Sequence, residues 1–239
     1  MARLLVGLPA LQGDLKKYKN RFDLVEVRPV DTSLPRLATL RKWRKAVPPG
    51  FVFSVVLPRV VGELAGGKAL DEALAAALEV AATLEARCVL LQTPPSLRPT
   101  AANRKKLADL FARVPTEGVV RCWEASGLWE RDDILVTARG AGVLPVLDAA
   151  REALPQGPIA YTRLRALGTA ASLGAGAVDK IAEELRGRRE VFVVVEGPGA
   201  ARLKDALSTA MAADRARPGG PAMVRPAMPS PLIAEDEEQ

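Results

Sequence analysis

The sequence predicts an α/β protein that folds as a single barrel of eight strand-helix units. Eight short runs rich in Val, Ile and Leu follow one another along the chain, and each ends at a Pro, Gly or polar break. A helical or helix-compatible stretch comes after each break, so strands and helices alternate throughout. Units of about 25 to 30 residues fit the small end of a (β/α)8, TIM-like barrel. A doubly wound open sheet is the alternative fold.

The eight predicted strands are short and apolar. They begin near Arg3, Leu24, Val52, Cys88, Val119, Gly142, Ile159 and Val191. Several of these runs are apolar on consecutive residues, as in Val89–Leu91 and Val191–Val195. That pattern is typical of a parallel strand that is covered by helices on one face and by barrel-filling side chains on the other.

The helices between the strands are predicted from their helical pattern of apolar residues. The six clearest are Leu34–Lys45, Ala69–Leu84, Ala101–Arg113, Asp132–Ala141, Val178–Arg186 and Ala200–Met211. The first and sixth crossovers, around Leu11–Lys19 and Ala149–Leu154, are short.

The loop Gly62–Lys68 matches the spacing of a phosphate-binding loop, but Ala69 stands where that motif needs a Ser or Thr. We interpret it as a flexible loop that its glycines allow to turn.

Composition indicates one compact domain followed by a tail. With 49% hydrophobic and 26% charged residues, residues 1–213 can bury one large core. Residues 214–239 carry five prolines beyond Arg217, the Gly219-Gly220 pair and four consecutive acids at 235–238, which predicts a disordered tail. Cys88 and Cys122 lie in apolar strands and are expected to be buried, reduced thiols.

Charge and hydropathy exclude some classes of function. The net charge of +6 and the pI near 9.6 raise the hypothesis of nucleic-acid binding. Its basic clusters, however, lie on predicted outer helices, and aromatic residues make up only 4% of the chain, which argues against it. The apolar start at Leu4–Leu11 is too short for a signal peptide, and Ala69–Ala86 carries four acids, so we expect a cytoplasmic protein without a membrane span. The chain has no histidine, the commonest general acid or base.

Candidate site residues lie where the predicted strands end, because barrel proteins bind their ligands there. Glu26 and Glu124 are the candidate catalytic residues. The candidate ligand-binding residues are Arg28, Arg59, Gln92, Asp148, Tyr161, Arg163, Arg165 and Glu196. Alternation along a strand places Glu26 with Arg28 on one face, and Tyr161 with Arg163 and Arg165 on another. If these faces point inward, several guanidinium groups converge at one end of the barrel, where they suit a phosphate or carboxylate.

These residues leave several interpretations open. Glu26 or Glu124 is a general base whose pKa is tuned by burial and by arginines, or both simply pair with Arg28 and Arg163 in a buried network. Arg163 is predicted to be the anchor of an anionic ligand, because it stands near the end of strand seven and barrel phosphate sites are frequently built from the loops after strands seven and eight. The alternative is that Arg163 is a structural partner of these carboxylates. A divalent cation held by the strand-end carboxylates is a further alternative, because hard cations need only oxygen ligands, but no metal site or cofactor follows from the sequence. The oligomeric state does not follow from it either.

Five stretches of the chain and one single residue resemble the YecE-like family, also called the domain of unknown function DUF72. They are Tyr18–Val27, Trp43–Pro58, Gln92–Ser96, Trp123–Glu130, Asp148 and Tyr161–Leu164. The resemblance covers Arg3 to about Met211 and implies a TIM-like barrel. It supplies no biochemical activity.

The chain departs from the pattern of that family at several positions where the family carries polar or charged groups. The departures are Val30-Asp31-Thr32 for Thr-Phe-Tyr, Val56 for Lys, Gly62-Glu63 for Thr-His, Ser126 for Arg, Arg165 for His and Glu196-Gly197 for an Asn pair. The residues that persist are Glu26, Gln92, Glu124, Asp148, Tyr161 and Arg163. A family reaction that relies on Lys or His therefore cannot run here through the same residues.

Three functional hypotheses follow. The first is a degenerate, non-catalytic or repurposed barrel that binds a small anionic ligand or a protein partner. The second is a divergent enzyme acting on a phosphorylated or sugar-like anionic substrate, with Arg28, Arg163 and Arg165 as clamps and Glu26 or Glu124 as general base. The third is nucleic-acid binding through the basic outer helices. Because a carboxylate close to several arginines makes a poor base, the first hypothesis is preferred.

Overall fold

The computed structural model of the chain describes residues 3–29, 36–165 and 175–213. Its eight strands are β1 Arg3–Leu8, β2 Leu24–Val27, β3 Val52–Val56, β4 Cys88–Gln92, β5 Val120–Glu124, β6 Leu144–Pro145, β7 Ile159–Leu164 and β8 Glu190–Val195. Its helices are α1 Leu15–Tyr18, α2 Leu37–Ala46, α3 Arg59–Gly62, α4 Lys68–Thr83, α5 Ala101–Phe111, α6 Arg131–Gly140, α7 Ala175–Leu185 and α8 Ala200–Ala213. The predicted disordered tail at 214–239, the predicted start of the second helix at Leu34 and the departure at Val30-Asp31-Thr32 lie outside the described residues.

All strand pairs in the sheet are parallel. The order is β6-β5-β4-β3-β2-β1-β8-β7, with β1 paired to both β2 and β8. A parallel bridge between Leu147, just after β6, and Thr162 in β7 brings the two ends of the sheet together. The sheet therefore forms a nearly closed ring with helices between its strands. The predicted (β/α)8 barrel is confirmed, and the doubly wound open sheet is wrong.

The sixth unit of the barrel differs from the others. Strand β6 has only two residues, and Ala149–Leu154 forms turns instead of the helix-compatible crossover that the sequence suggested. The Asp148 carboxylate accepts the Ala150 N–H at 3.0 Å, while the Thr162 hydroxyl donates to the Leu147 carbonyl at 2.8 Å. These side chains make hydrogen bonds to backbone groups that would otherwise be hydrogen-bonded within a helix. The chain therefore crosses to β7 without forming a helix.

Helix α3 is a feature that the sequence analysis did not predict. It ends at Gly62, where a Cβ atom would lie 2.1 Å from the Gln92 carbonyl oxygen at the end of β4. Glycine thus lets α3 approach the backbone of β4 closely. The interpretation of 62–68 as a loop is wrong at Gly62, which ends α3, and at Lys68, which begins α4. Gly66 and Gly67 have φ angles of +80° and +84°, so these glycines do allow the chain to turn between the two helices.

Two layers of apolar side chains surround the sheet. The larger one packs the outer face of the strands against the helices. The smaller one fills the barrel and consists of Leu5, Leu24, Val52, Val56, Cys88, Leu90, Cys122, Val146, Tyr161, Phe192 and Val194. Both cysteines are buried free thiols, as predicted. Among the described residues, no helix is both long and apolar enough to cross a membrane.

Candidate functional site

The inward face of the strands changes from apolar to charged toward their carboxyl ends. Leu24, Cys122 and Tyr161 point into the barrel. Side chains two residues apart on a strand share a face, so Glu26, Glu124 and Arg163, each two residues further along, point inward as well. We call this end of the barrel the mouth. Its charged cluster consists of Glu26, Arg28, Gln92, Glu124, Tyr161, Arg163, Arg165 and Glu196. The structure brings Arg28, Arg163 and Arg165 together at this end, as expected if the faces that alternation assigned to Glu26 with Arg28 and to Tyr161 with Arg163 and Arg165 point inward.

Arg163 lies at the centre of the charged cluster and is only 1% exposed. Its Nη2 donates to Glu26 Oε1 at 2.5 Å and its Nε to Glu124 Oε2 at 2.9 Å. Its Nη1 donates to Glu196 Oε1 at 3.1 Å. All three guanidinium nitrogens are therefore engaged by carboxylates. This geometry favours the structural interpretation of Arg163 over the ligand anchor.

Glu26 is the most deeply buried carboxylate of the cluster, at 1% exposure. The Tyr161 hydroxyl donates to its Oε1 at 2.6 Å and lies 3.1 Å from the Ser54 hydroxyl. Arg28 Nη2 donates to its Oε2 at 3.4 Å. Burial raises the pKa of the Glu26 carboxyl, and Arg163, Tyr161 and Arg28 offset part of that rise by stabilising the ionised form.

Glu124 completes the ring of contacts. It accepts Gln92 Nε2 at 2.6 Å and is also bonded by Arg165 Nη2. Gln92 Oε1 in turn accepts Arg28 Nη1 at 2.8 Å. The contacts thus run from Arg28 through Gln92, Glu124 and Arg163 to Glu26 and back to Arg28, so that each member is held by two others.

The charges of the cluster balance. When all six groups are ionised, the carboxylates of Glu26, Glu124 and Glu196 oppose the guanidinium groups of Arg28, Arg163 and Arg165. Burial alone would lower the pKa of Arg163, but Glu26 and Glu124 outweigh that effect and hold its pKa above the ordinary arginine value. Arg163 is therefore a permanent cation, and the two buried carboxylates that it binds are poorly placed to act as general bases.

We expect Glu26→Gln to change the pH dependence of stability. Because the folded state holds the pKa of Glu26 above its unfolded value, the favourable contribution of this carboxyl is complete below the unfolded pKa and is lost as pH rises through the folded pKa. Glutamine has no proton to lose, so the free energy of unfolding of the variant should rise relative to wild type across that window. Urea denaturation at a series of pH values between about 4 and 7 measures the difference.

The matched control is Glu72→Gln, which removes an exposed carboxylate on α4. It should leave the pH dependence of stability unchanged. A difference between Glu26→Gln and wild type that stays constant or falls with rising pH would contradict the raised pKa of Glu26.

A cleft of about 400 Å³ opens beside the charged cluster, at the carboxyl ends of β2, β3 and β4. Its lining consists of Arg28, Pro29, Val56, Leu57, Pro58, Arg59, Gln92, Thr93, Pro94 and Pro95. The described residues that line it include two arginines and no carboxylate. Arg28 and Gln92 belong to both the cluster and the cleft, so they connect the two.

The remaining predicted site residues lie around the charged cluster and the cleft. Arg59 is exposed and pairs with Glu63, one helical turn away, at 3.1 Å. Arg165 and Glu196 are about half exposed at the rim, with 3.8 Å between Arg165 Nε and Glu196 Oε1. Asp148 serves the turn after β6 and pairs with Arg151 at 3.7 Å, and these contacts lie outside the ring.

Ser54 was missed in the sequence analysis. Thr93, Pro58, Pro94 and Pro95 lie where strands three and four were expected to end, but they were not included among the candidate site residues. Ser54 is in phase with Val52 and Val56, and this inward polar residue in an apolar strand was the available signal. Within the described parts of the chain, no three carboxylate or thiol groups are arranged to hold a metal ion. Glu26, Glu124 and Glu196 do converge, but they do so on the guanidinium of Arg163.

The fold and the mouth define a TIM-barrel protein whose polar side chains meet at the carboxyl ends of the strands. The chain belongs to the family described as "Protein of unknown function DUF72", which it matches over residues 6–223. The resemblance seen in the sequence is thereby confirmed. No curated protein matches the chain.

Solved structures share this fold. A DUF72 family protein from Enterococcus faecalis V583 is 17% identical, with a TM-score of 0.64 over 90% of this chain and 98% of that one. A DUF72 family protein from Thermotoga maritima MSB8 is also 17% identical, with a TM-score of 0.63 over 86% and 99% of the two chains. An L-ribulose 3-epimerase is 17% identical, with a TM-score of 0.60 over 92% and 100%. Likeness at this level of identity shows the fold alone.

Proposed function

We propose that this chain is a binding protein that holds a small anionic molecule in the cleft at the barrel mouth and does not transform it. The observation that carries the proposal is the charge of the cleft, whose described lining residues include Arg28 and Arg59 and no carboxylate. The carboxylates of the mouth lie instead in the neighbouring cluster, where arginines neutralise them. A phosphate or carboxylate in the cleft would meet the guanidinium groups of Arg28 and Arg59, and it would share them with Glu26 and Glu63, the carboxylates that already pair with them.

The two arginines have different roles in this proposal. Arg28 is held by Glu26 and Gln92, so its orientation is set before a ligand arrives and little side-chain entropy is lost on binding. Arg59 is exposed at the start of α3 and pairs with Glu63, so it would bind an anion in the cleft by exchanging that partner. Charge-assisted hydrogen bonds from such groups contribute roughly 1.5 to 3 kcal/mol each.

Binding without turnover is supported by the state of the buried carboxylates. A general base needs a free lone pair within hydrogen-bond reach of the substrate proton. Glu26 and Glu124 instead accept hydrogen bonds from Arg163, and neither is among the residues that line the cleft. A sugar epimerase-like reaction, which the likeness to L-ribulose 3-epimerase suggests as the alternative, requires proton transfer at a carbon atom and hence such a base.

The test is to titrate the protein with small phosphates and carboxylates. Isothermal titration calorimetry measures the affinity, and the rise in melting temperature checks that the ligand binds the folded state. We expect Arg59→Ala to weaken binding of the best anion by about tenfold, because one charge-assisted contact is lost. The control Lys105→Ala removes an equally exposed cation that is paired one helical turn away with Asp109 on α5, and it should have no effect. Equal affinity of wild type and Arg59→Ala, or conversion of the bound molecule to a product, would overturn the proposal.

A further inference from the structure

We infer that the ligand of the cleft is an anion with a flat apolar body, such as an aromatic phosphate or carboxylate, and not a sugar derivative. This inference rests on the proposed function and adds the class of ligand to it. Six of the ten described residues that line the cleft are apolar, namely Pro29, Val56, Leu57, Pro58, Pro94 and Pro95. The cleft therefore offers an apolar wall next to its two cations.

The two uncharged polar side chains among the described lining residues, Gln92 and Thr93, are already hydrogen-bonded within the protein. Gln92 accepts Arg28 Nη1 through its oxygen and donates to Glu124 through its nitrogen. The Thr93 hydroxyl accepts the Trp123 Nε1–H at 3.1 Å and lies 3.5 Å from the Glu124 carbonyl oxygen, to which it donates. A sugar carries several hydroxyl groups, and each one that is buried without a partner weakens binding. The side chains of this cleft are therefore poorly matched to a polyhydroxylated body.

The shape of the apolar wall favours a planar group. Proline rings are rigid and lose almost no side-chain entropy when a ligand packs against them. Val56, Leu57, Pro29 and Pro58 are buried, so the neighbouring structure fixes their positions before binding. A volume of about 400 Å³ is in the usual range for a small-molecule site and is large enough for one ring with an acidic group. The ring would lie on the prolines while its anionic group reaches Arg28 and Arg59.

The experiment compares three phosphates on the full chain by isothermal titration calorimetry: phenyl phosphate, ribose 5-phosphate and inorganic phosphate. All three present the same anionic group, so differences between them report the body of the ligand. We expect phenyl phosphate to bind at least tenfold more tightly than ribose 5-phosphate, because the ring buries apolar surface without leaving hydroxyl groups unpaired. A smaller difference, or the opposite order, overturns the inference.

A variant of the wall separates the contribution of the ring from that of the charge. Pro95→Ser replaces an exposed apolar residue at the rim of the cleft and should weaken phenyl phosphate binding severalfold, and by more than it weakens ribose 5-phosphate binding. The control Pro115→Ser changes an exposed proline outside the cleft and should affect neither ligand. A Pro95→Ser protein that binds phenyl phosphate like wild type contradicts the apolar wall.

The outcomes also separate this inference from the proposed function. If ribose 5-phosphate binds as tightly as phenyl phosphate and Arg59→Ala weakens both, anion binding in the cleft stands and the aromatic body is wrong. If none of the three phosphates binds, the proposed function and the inference fail together.

Discussion

We expect Arg163→Ala to lower the free energy of unfolding by about 3 to 5 kcal/mol at pH 7, the largest effect of any substitution at the mouth. The substitution leaves Glu26 and Glu124 as buried carboxylates without the cation that binds both. Among the described cations, Glu26 then keeps only the 3.4 Å contact with Arg28, and Glu124 keeps only the half-exposed Arg165, so both buried charges are poorly compensated. Urea denaturation followed by tryptophan fluorescence measures the change.

The pH dependence identifies the cause of that loss. Without Arg163 the pKa of Glu26 should rise further above its ordinary value, because burial raises it and Arg163 is the first of the groups that oppose the rise. Protonation of Glu26 then removes the poorly compensated charge, so the loss of stability should shrink as pH falls. Arg165→Ala is the control. Arg165 is about half exposed and contacts Glu124 and Glu196, two of the three carboxylates that bind Arg163. Its effect should stay below about 1 kcal/mol. An Arg163→Ala protein as stable as wild type would refute the structural role of this residue.

The second large effect is expected for Gly62→Ala. A Cβ atom at this position would lie 2.1 Å from the Gln92 carbonyl oxygen, well inside van der Waals contact with backbone. Either α3 or the end of β4 must move, which we expect to cost roughly 1 to 3 kcal/mol or more of stability. Because Gln92 belongs to both the cluster and the cleft, the same shift should weaken anion binding.

Gly140→Ala provides the matched control for this substitution. Gly140 ends α6, and no heavy atom lies within 4 Å of the position that a Cβ atom would take there. Alanine at this site should leave stability unchanged or raise it slightly, because it restricts the unfolded chain. If Gly62→Ala is as stable as Gly140→Ala, the close approach of α3 to β4 is not a requirement of the fold.

The barrel could be predicted from the sequence because its signal is repeated. Eight apolar runs with eight breaks agree with one another, so an error in a single element does not change the fold. The sixth unit shows where local reasoning fails. Its strand has two residues and its crossover forms turns, because Asp148 and Thr162 bond to backbone groups that sequence periodicity does not register.

The charged cluster could be predicted in part. The two-residue period of strands correctly placed Glu26 with Arg28 and Tyr161 with Arg163. The sequence left open whether Arg163 binds a ligand or the carboxylates, since that depends on the distances between β2, β5, β7 and β8. The cleft was harder still, because α3 and the prolines after β2, β3 and β4 form it together. Periodic patterns in a sequence predict helices and strands, but they do not predict which loops contact one another.

The most direct test of anion binding in the cleft is an NMR titration of the arginine side chains with phenyl phosphate. The Nε–H signals of Arg28, Arg59 and Arg163 can be assigned from single Arg→Lys variants. We predict saturable shifts for Arg28 and Arg59, which line the cleft, and no shift for Arg163, which its three carboxylates hold. A shift of the Arg163 signal with those of Arg28 and Arg59 unmoved would contradict this prediction, because the ligand would then bind inside the charged cluster.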